Sequence, residues 1–239
     1  MRIGLSKCLF EFKGFLLLVL MMFIIRSSIV DWNSVPSASM KPTIIEGDRV
    51  LVDKLAYDVR LPFLKWSITQ LADPDRGDVV VINSTIADKR LIKRVLALPG
   101  DSILLLDNEV VLNDDTLIYQ QFAAHHDKLG SFFERIETIT ALTGIKTSYL
   151  IRVYVNQKNG SPLKNMDVIT IPDGFYFVMG DNRHKSDDSR LNLKLVPRSE
   201  IMGRASNIVF SSDYANYYLP RKNRWWLPLN QNKAVVMSK

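Results

Sequence analysis

The chain has 239 residues, of which 47% are apolar and 23% charged, a composition that excludes a disordered or fibrous protein. The formal net charge is +6, but the basic residues are scattered, which favours a solvated or lipid-facing surface and no nucleic-acid partner. The single cysteine, Cys8, excludes an internal disulfide and a paired-cysteine metal site, and the three histidines lack zinc spacing. We therefore expect no metal and no cofactor, so that side chains carry any reaction.

The amino-terminal region contains an uninterrupted apolar run, FLLLVLMMFII, at residues 15–25. Residues 14–30 are long enough to span a bilayer if the Arg26 side chain extends to the membrane interface. We therefore predict a transmembrane anchor at 14–30. Positive residues before it predict that residues 1–13 are cytoplasmic, which leaves 31–239 as an extracytoplasmic domain.

Two alternatives to a retained anchor stay open for this run. It is a candidate buried core helix, although a helix that is apolar on all sides and begins a chain is unusual in a small domain. It is also a candidate cleaved secretory signal, because the small-x-small triplet Ser37-Ala38-Ser39 follows it. That triplet lies far beyond the end of the run, whereas a processing site normally follows closely.

The remaining chain is patterned mostly as strands. Short aliphatic and β-branched runs predict strands at 49–52, 78–82, 91–98, 102–106, 109–112, 149–155, 168–171, 175–179 and 208–210. Asp107-Asn108 predicts a two-residue hairpin turn. Within SFFERIETITAL, the spacing of Phe132, Ile136, Ile139 and Leu142 predicts a helix. The polar region from about 113 to 164 is interpreted as an insertion.

The first segment with candidate chemistry is PSASMKPT, residues 36–43. Its small residues and two prolines predict a tight, exposed backbone directly after the anchor. Ser37 and Ser39 are the candidate reactive hydroxyls, although a Ser-x-Ser pair alone is more often a turn former.

The second segment reads KRLIKRVLALPGD and contains a predicted strand. Alternation places Lys93 on one face with Leu91, Val95 and Ala97, and Arg94 on the other. Aliphatic surroundings disfavour the charged amine and lower its pKa, so that Lys93 becomes a candidate general base for a serine. The alternative is a lysine whose stem packs while its head reaches water.

The third segment, MGDNRHKSDDSR at residues 179–190, follows a predicted strand. Its hydroxyls are suited to orienting a lysine amine, and its carboxylates to pairing with Arg94 or Arg190. Taken alone, the segment is typical of a solvated turn.

Together, in this order after an apolar run, the three segments resemble one family. SxSMxPT, then IKRV followed by LPGD, then GDNRxxSxDSR is the pattern of bacterial type I signal peptidases, the leader peptidases of the Ser-Lys class. The resemblance covers roughly residues 36–190, with an unmatched middle.

The resemblance implies that Ser39 attacks the scissile carbonyl and that Lys93 replaces histidine as its general base. It implies that the Ser37 hydroxyl joins the N–H of Ser39 in an oxyanion hole, where one donor contributes ~3 kcal/mol. Ser186 matches the serine that orients the lysine. A supporting charge network is implied for Arg94, Asp188 and Arg190.

The same resemblance implies a mainly β fold: an antiparallel-sheet peptidase domain with an inserted smaller region, preceded by one transmembrane helix. It places the chain in the bacterial inner membrane, single-pass, with the catalytic domain on the periplasmic side. The implied partners are the lipid bilayer and preprotein signal peptides that end in a small-x-small motif and bind along a strand edge.

The chain departs from the family pattern at several places. His184-Lys185 stands where Asp-Asn is expected, which reverses the local charge, and Ala38 stands for the usual glycine. The middle region has no cysteine pair, so a reduced accessory region is expected. The aromatic and basic stretch at 217–227 predicts either interface-seeking or ordinary strand-and-turn packing.

Three rival functions are considered. A specialised relative would mature a pilin or another dedicated secretion or conjugation substrate. A catalytically inactive, membrane-tethered binding protein would not need to keep Ser37, Ser39, Lys93 and Ser186 together. A self-cleaving repressor with a Ser-Lys dyad is disfavoured because no helix-turn-helix precedes the peptidase segments.

Overall fold

The structure, a computed structural model, describes residues 12–61, 67–127, 130–155 and 165–229. Within this part of the chain, strands greatly outnumber helices. One α-helix and two single-turn 3₁₀ helices are present: α1 (Lys13–Ser28), Arg198–Glu200 and Lys222–Arg224. The strands are β1 (Val30–Ser34), β2 (Asp48–Asp53), β3 (Asp58–Arg60), β4 (Ser67–Gln70), β5 (Val79–Ser84), β6 (Lys89–Ala97), β7 (Ser102–Leu106), β8 (Glu109–Leu112), β9 (Asp115–Thr116), β10 (Ile118–Asp127), β11 (Gly130–Thr140), β12 (Lys146–Tyr154), β13 (Met166–Thr170), β14 (Phe175–Met179), β15 (Val196–Pro197), β16 (Ile201–Asp213), β17 (Leu219–Pro220) and β18 (Leu227–Pro228).

The predicted mainly β, antiparallel architecture is confirmed. Neighbouring strands pair antiparallel, and each of the nine predicted runs falls in or overlaps an observed strand. The largest sheet has the order β1-β2-β16-β5-β6-β14-β15, with β17 and β18 also pairing with β16. Smaller sheets have the orders β10-β11-β12, β13-β7-β8-β9 and β3-β4.

Helix α1 covers most of the predicted anchor but is only 16 residues long. Leucines such as Leu17 and Leu18 are more than half exposed on its surface. In the described part of the chain, no helix combines the length and apolarity needed to cross a bilayer. The anchor over 14–30 and the boundaries 1–13 and 31–239 stay predictions, and residues 1–11, including Cys8, lie outside the described residues.

Strand β5 is buried on both faces, and this explains its unbroken VVVI run. Val79 and Val81 pack into one core cluster, whereas Val80 and Ile82 pack into another. Lys93 of β6 lies opposite Val80 in the register, so its side chain belongs to the second face. Leu91 and Val95 pack in that same cluster, as alternation predicts.

The predicted grouping fails for one residue, since Ala97 packs in a third cluster together with Leu96. The register between β6 and β14 is irregular near Phe177, and this irregularity ends the simple alternation.

The predicted helix around residues 132–142 is wrong, because this segment is strand β11, the centre of a three-stranded sheet. Glu134 and Glu137 occupy buried positions, so the apolar alternation that marks a strand is hidden in the sequence. β-Branched residues and two long flanking strands then favour the sheet. The predicted insertion at about 113–164 overlaps β9–β12, and its limits stay a prediction.

The predicted hairpin turn at Asp107-Asn108 is confirmed. Leu106 and Glu109 are register partners, so the turn has two residues. Both turn residues have positive φ angles, 49° and 67°, as a type I′ turn requires.

Glu137 connects the three-stranded sheet β10-β11-β12 to the loop that follows β14. Its buried carboxylate accepts hydrogen bonds from the Tyr149 hydroxyl and from the buried guanidinium of Arg183, with which it forms an ion pair. Burial raises the pKa of Tyr149, and the nearby Glu137 charge raises it further, so the phenol keeps its proton and remains a donor.

We expect Glu137→Ala to lower the free energy of unfolding by roughly 3–5 kcal/mol, because Arg183 would be left buried without a counter-charge. Glu109→Ala is the matched control: Glu109 pairs with Arg135 at 3.0 Å on the surface, and losing such a pair costs about 0–1 kcal/mol. Urea unfolding of the detergent-solubilised variants, followed by tryptophan fluorescence, measures both. Equal losses in the two variants would contradict the structural role given to Glu137.

Candidate active site

The segment that carries Ser39 is held by buried residues on its carboxyl side and by backbone pairing on its amino side. Met40 and Ile44 are almost completely buried in the core. The Val35 N–H donates to the Asp48 carbonyl at 3.0 Å. Between these two fixed ends Ser39 stays half-buried, at the edge of a cleft. A small-residue turn between two anchored ends thus presents one hydroxyl in a fixed place.

Ser39 and Lys93 meet although 54 residues separate them in the chain. The Lys93 Nζ lies 3.1 Å from the Ser39 Oγ, within hydrogen-bond distance. Lys93 is only 2% exposed. Burial lowers its pKa from 10.5 to about 8, against the opposing charges of Asp188 and Asp187. A large fraction of the amine is therefore neutral near pH 8 and able to accept a proton.

Ser37 lies beside Ser39 on the exposed side of the turn. Their hydroxyl oxygens are 3.4 Å apart. The Ser37 hydroxyl therefore lies next to the candidate nucleophile Ser39, as the family resemblance implies.

Ser186 is buried close to the same site, but its contacts differ from those predicted. A Cβ built on Gly180 would collide with both the Ser186 side chain and the carbonyl of Ser39, so only glycine fits between them. The Ser186 hydroxyl lies beside the Asp188 carboxylate and helps to lower its pKa. Among the described residues it makes no hydrogen bond to Lys93, and its orienting role stays a prediction.

Two buried arginine–aspartate pairs support the loop after β14. Arg94 holds Asp181 through two hydrogen bonds, of 2.8 and 2.7 Å. Arg190 holds Asp188 in the same bidentate manner, at 2.8 and 2.9 Å. The structure thus brings Arg94, Asp188 and Arg190 around the site, and the two buried carboxylates of the loop, Asp181 and Asp188, each have their own arginine.

The partners of Asp188 and Arg94 keep these two buried groups charged. Burial alone would raise the pKa of Asp188, but hydrogen bonds from Arg190 and from the Gly180 N–H hold it below its usual range. Burial alone would lower the pKa of Arg94, but the charge of Asp181 raises it instead.

Several residues of the site were missed by the sequence reasoning. The motif that contains Asp181 indicates no role for it, yet Asp181 pairs with Arg94 and also accepts a hydrogen bond from the Thr43 hydroxyl. Asn182 contacts the backbone of the Ser39 segment. The Tyr149 ring stacks against the Arg94 guanidinium, with 3.8 Å between the guanidinium carbon and the ring centre. Because Tyr149 lies far from Arg94 in the sequence, no motif indicated this contact.

The replacement of the expected Asp-Asn pair by His184-Lys185 changes the charge less than the sequence indicates. His184 is buried, and its Nδ1 accepts a hydrogen bond from the Tyr154 N–H at 3.1 Å. A ring nitrogen that accepts a hydrogen bond carries no proton. The local charge reversal is therefore due to the exposed Lys185.

A cleft runs past Ser39 because one edge of β6 is left open. Strand β14 pairs with β6 only from Arg94 onward, so among the described strands residues 89–93 have no partner on that side. A groove of about 430 Å³ lies between this edge and residues 33–37, and a second of about 350 Å³ reaches Lys93 and Leu193. At the first groove, Arg90 donates to the Asn33 side-chain oxygen at 2.6 Å.

A serine beside an amine of lowered pKa, with a second hydroxyl next to it and an open strand edge, is an arrangement suited to acyl transfer on an extended peptide. Comparison with known proteins agrees with this chemistry. A family model described as signal peptidase, peptidase S26, matches residues 10–210. The chain belongs to this family.

Signal peptidase relatives match along most of the chain. Signal peptidase I of Rickettsia bellii (strain OSU 85-389) is 30% identical over 229 residues, covering 90% of this chain and 75% of the relative. Signal peptidase I of Rickettsia rickettsii (strain Sheila Smith) is 31% identical over 230 residues, covering 90% and 81%. A solved signal peptidase I from Enterococcus faecalis V583 is 23% identical, with a TM-score of 0.36, over 57% of this chain and 99% of that one.

Membership of the signal peptidase family makes the chain a serine endopeptidase, a hydrolase of the signal peptidase I class. The rival interpretation as an inactive binding protein is not favoured.

Burying the Lys93 amine has a stability cost that depends on pH. The folded-state pKa, about 8, lies below the ordinary 10.5, so folding expels a proton and stability rises as pH rises from 8 to 10.5. Below pH 8 the cost is fully present, at about 3 kcal/mol. We expect Lys93→Met to be more stable than wild type at pH 7 and to lose that advantage by pH 10.5.

Thermal melts of the detergent-solubilised protein at pH 7 and above pH 10 measure this difference. Lys146→Met, at an exposed position on β12, is the control and should show no pH-dependent gain. A wild type that is the more stable protein at pH 7 would contradict the burial argument.

Proposed function

We propose that the chain removes signal peptides from exported preproteins by a Ser39–Lys93 dyad at the membrane surface. The observation that carries this proposal is the 3.1 Å contact between a buried lysine amine of lowered pKa and a half-buried serine hydroxyl. The enzyme class follows from the family, and the geometry of the two side chains supports the dyad.

In the acylation step, the neutral Lys93 amine accepts the proton of the Ser39 hydroxyl while Oγ attacks the scissile carbonyl. The N–H of Ser39 and the hydroxyl of Ser37 donate to the oxyanion of the tetrahedral intermediate. The intermediate collapses with cleavage of the C–N bond, and the Lys93 ammonium gives its proton to the leaving amine. The products are a mature amino terminus and an ester on Ser39.

Deacylation repeats the same proton movements with water. Lys93, neutral again, accepts a proton from a water molecule whose oxygen attacks the ester carbonyl. The tetrahedral intermediate then expels Ser39 Oγ, which takes the proton back from Lys93. The signal peptide leaves with a free carboxyl terminus, and Lys93 and Ser39 return to their starting state.

Substrate binding uses the open β6 edge. A signal peptide end that adds as an antiparallel strand along residues 89–93 would place its scissile carbonyl at Ser39. Its side chains would alternate between the groove bounded by Asn33 and the groove that reaches Lys93. Because the Arg90–Asn33 hydrogen bond crosses the first groove, small side chains are favoured there, in keeping with a small-x-small cleavage motif.

The anchor helix and an aromatic surface are proposed to hold the catalytic domain on the bilayer, in a single-pass, periplasmic orientation. The aromatic surface comprises exposed residues near β17 and β18: Tyr217, Tyr218, Leu219, Trp225 and Trp226. Its basic neighbours are partly structural, since Arg224 pairs with buried Asp48 and Arg221 with Asp213. Aromatic rings are enriched where proteins meet the membrane interface.

We expect Ser39→Ala and Lys93→Ala to abolish cleavage of a model preprotein in detergent, and Ser37→Ala to reduce kcat by roughly 10²–10³-fold as one oxyanion donor is lost. Amino-terminal sequencing of the wild-type product should show a cut after a small-x-small motif. The wild-type rate should rise through about pH 8 as Lys93 loses its proton.

Ser67→Ala and Lys146→Ala, at exposed positions on β4 and β12, are the controls and should cleave like wild type. If the Ser39 or Lys93 variant retains wild-type activity, the dyad is wrong. If wild type leaves general preproteins intact but cuts a pilin-type substrate, the substrate range is a dedicated one.

We expect the double variant Trp225→Ala/Trp226→Ala to lose several-fold activity on a preprotein embedded in vesicles while keeping its activity on a soluble peptide. The reason is that the two exposed rings would seat the catalytic domain at the interface, which matters only for a membrane-bound substrate. Leu142→Ala/Ile145→Ala removes a comparable exposed apolar pair from the β11–β12 turn and serves as the control. Equal losses on both substrates would argue for a packing role of the rings.

A further inference from the structure

The peptide bond that joins Ala38 to Ser39 is held by a residue to which no role has yet been given. We propose that Asn182 is a positioning residue that aims the Ser39 N–H at the oxyanion by gripping the other end of the same peptide unit. This inference rests on the proposed function, since it assumes that Ser39 is the nucleophile.

Asn182 makes two hydrogen bonds to the backbone around the nucleophile. Its side-chain Nδ2 donates to the Ala38 carbonyl at 3.1 Å, and its backbone N–H donates to the Ser39 carbonyl at 3.0 Å. Asn182 is only 1% exposed. Both peptide units that flank the Ser39 Cα are therefore tied to one buried residue.

Planarity of the peptide bond turns this contact into control of the oxyanion donor. The Ala38 carbonyl and the Ser39 N–H belong to one rigid, trans unit and point in opposite directions. A donor that fixes the direction of the carbonyl oxygen therefore fixes the direction of the N–H. Oxyanion stabilisation depends on this direction, because the donor must lie about 2.7–3.1 Å from the developing charge.

The Ala38 carbonyl also accepts a hydrogen bond from the Lys41 N–H, at 3.2 Å. That bond lies within the turn and fixes its local shape. It does not fix the turn relative to Lys93 or the cleft. Asn182 connects the turn to the rest of the site, because it lies in the loop between β14 and Arg190.

Asn182 is itself held on both sides by strand β12. The Arg152 N–H donates to the Asp181 carbonyl at 2.8 Å, and the Arg183 N–H donates to the Arg152 carbonyl at 3.0 Å. Asp181 is further locked by Arg94. The amide that grips Ala38 therefore has a rigid support, which is the condition for holding a hydrogen-bond donor in catalytic geometry.

The variants Asn182→Ala and Asn182→Asp separate this role from simple loop stability. Alanine removes the donor, and aspartate keeps the shape but sets a carboxylate against the Ala38 carbonyl. We expect kcat for preprotein cleavage to fall about 10-fold or more with alanine, and further with aspartate, while KM changes less than about 2-fold. The acid limb of the pH–rate profile should keep its midpoint near 8, because the Lys93 contact is untouched.

A second measurement reports on the oxyanion directly. A peptide aldehyde carrying the cleavage sequence forms a hemiacetal with Ser39, whose oxygen occupies the oxyanion position, whereas the cleaved signal peptide binds without forming it. Asn182→Ala should weaken binding of the aldehyde by about 10-fold and leave binding of the product peptide unchanged.

Ser189→Ala is the matched control on the same loop. The Ser189 hydroxyl accepts a hydrogen bond from the Val178 N–H at 2.9 Å, so this variant removes a loop hydrogen bond without touching Ala38 or Ser39. Its kcat should stay near that of wild type.

Two results overturn the inference: an unchanged kcat in Asn182→Ala, or equal weakening of aldehyde and product peptide together with a shifted pH midpoint. Failure of the proposed function has a different signature. In that case wild type does not cleave the preprotein, or Ser39→Ala still does, whatever the Asn182 variants show.

Discussion

The site depends on keeping a lysine amine buried next to a serine without giving it a counter-ion. Burial lowers the pKa of Lys93, and the charges of Asp188 and Asp187 oppose that shift. A carboxylate that paired directly with Lys93 would raise its pKa again, and the amine would then stay protonated near pH 8. Arg190 prevents this by taking both oxygens of Asp188, and its own charge further lowers the pKa of Lys93. Arg190 thus influences the pKa of Lys93 through the carboxylate it occupies.

The same loop also holds the segment that carries Ser39. Asp181 is fixed by Arg94, Asn182 contacts the Ser39 segment, and Gly180 allows Ser186 and the Ser39 carbonyl to approach closely. Each of these contacts depends on a different residue of one short segment. This explains why the segment is dense in polar groups that are nonetheless buried. Burying them is costly, and the arginine partners of Asp181 and Asp188 offset part of that cost.

The sequence predicted the parts of the fold that follow local rules. Apolar runs marked nine strands, and Asp107-Asn108 marked a type I′ turn, because in these places the local preference and the final structure agree. The prediction failed at β11, where Glu134 and Glu137 stand in core positions. Partners from other segments, chiefly Arg152 and Arg183, make these positions tolerable, and nothing local to 130–140 indicates those partners.

The candidate site divides in the same way. Motifs identified Ser39 and Lys93, and the structure brings the two within hydrogen-bond distance. The roles of Asn182 and Tyr149 were not predicted, since each acts through a contact with a residue distant in sequence. The Ser186 hydroxyl was expected at the lysine, and among the described residues it lies instead beside Asp188. Motifs therefore locate reactive groups more readily than the contacts that hold them.

These long-range contacts connect the three-stranded sheet β10-β11-β12 to the candidate site. Its strand β12 pairs with the loop backbone at Arg152, its Tyr149 ring covers Arg94, and its Glu137 neutralises Arg183. Without this sheet, Arg94 and Arg183 would lose the groups that cover and neutralise them, and water would reach the pairs that fix the loop. Because ion pairs weaken when solvated, the loop would then hold Asp188 and Asn182 less firmly. The three-stranded sheet therefore lies behind the candidate site and supports the loop that carries Asp188, whose charge acts on the pKa of Lys93.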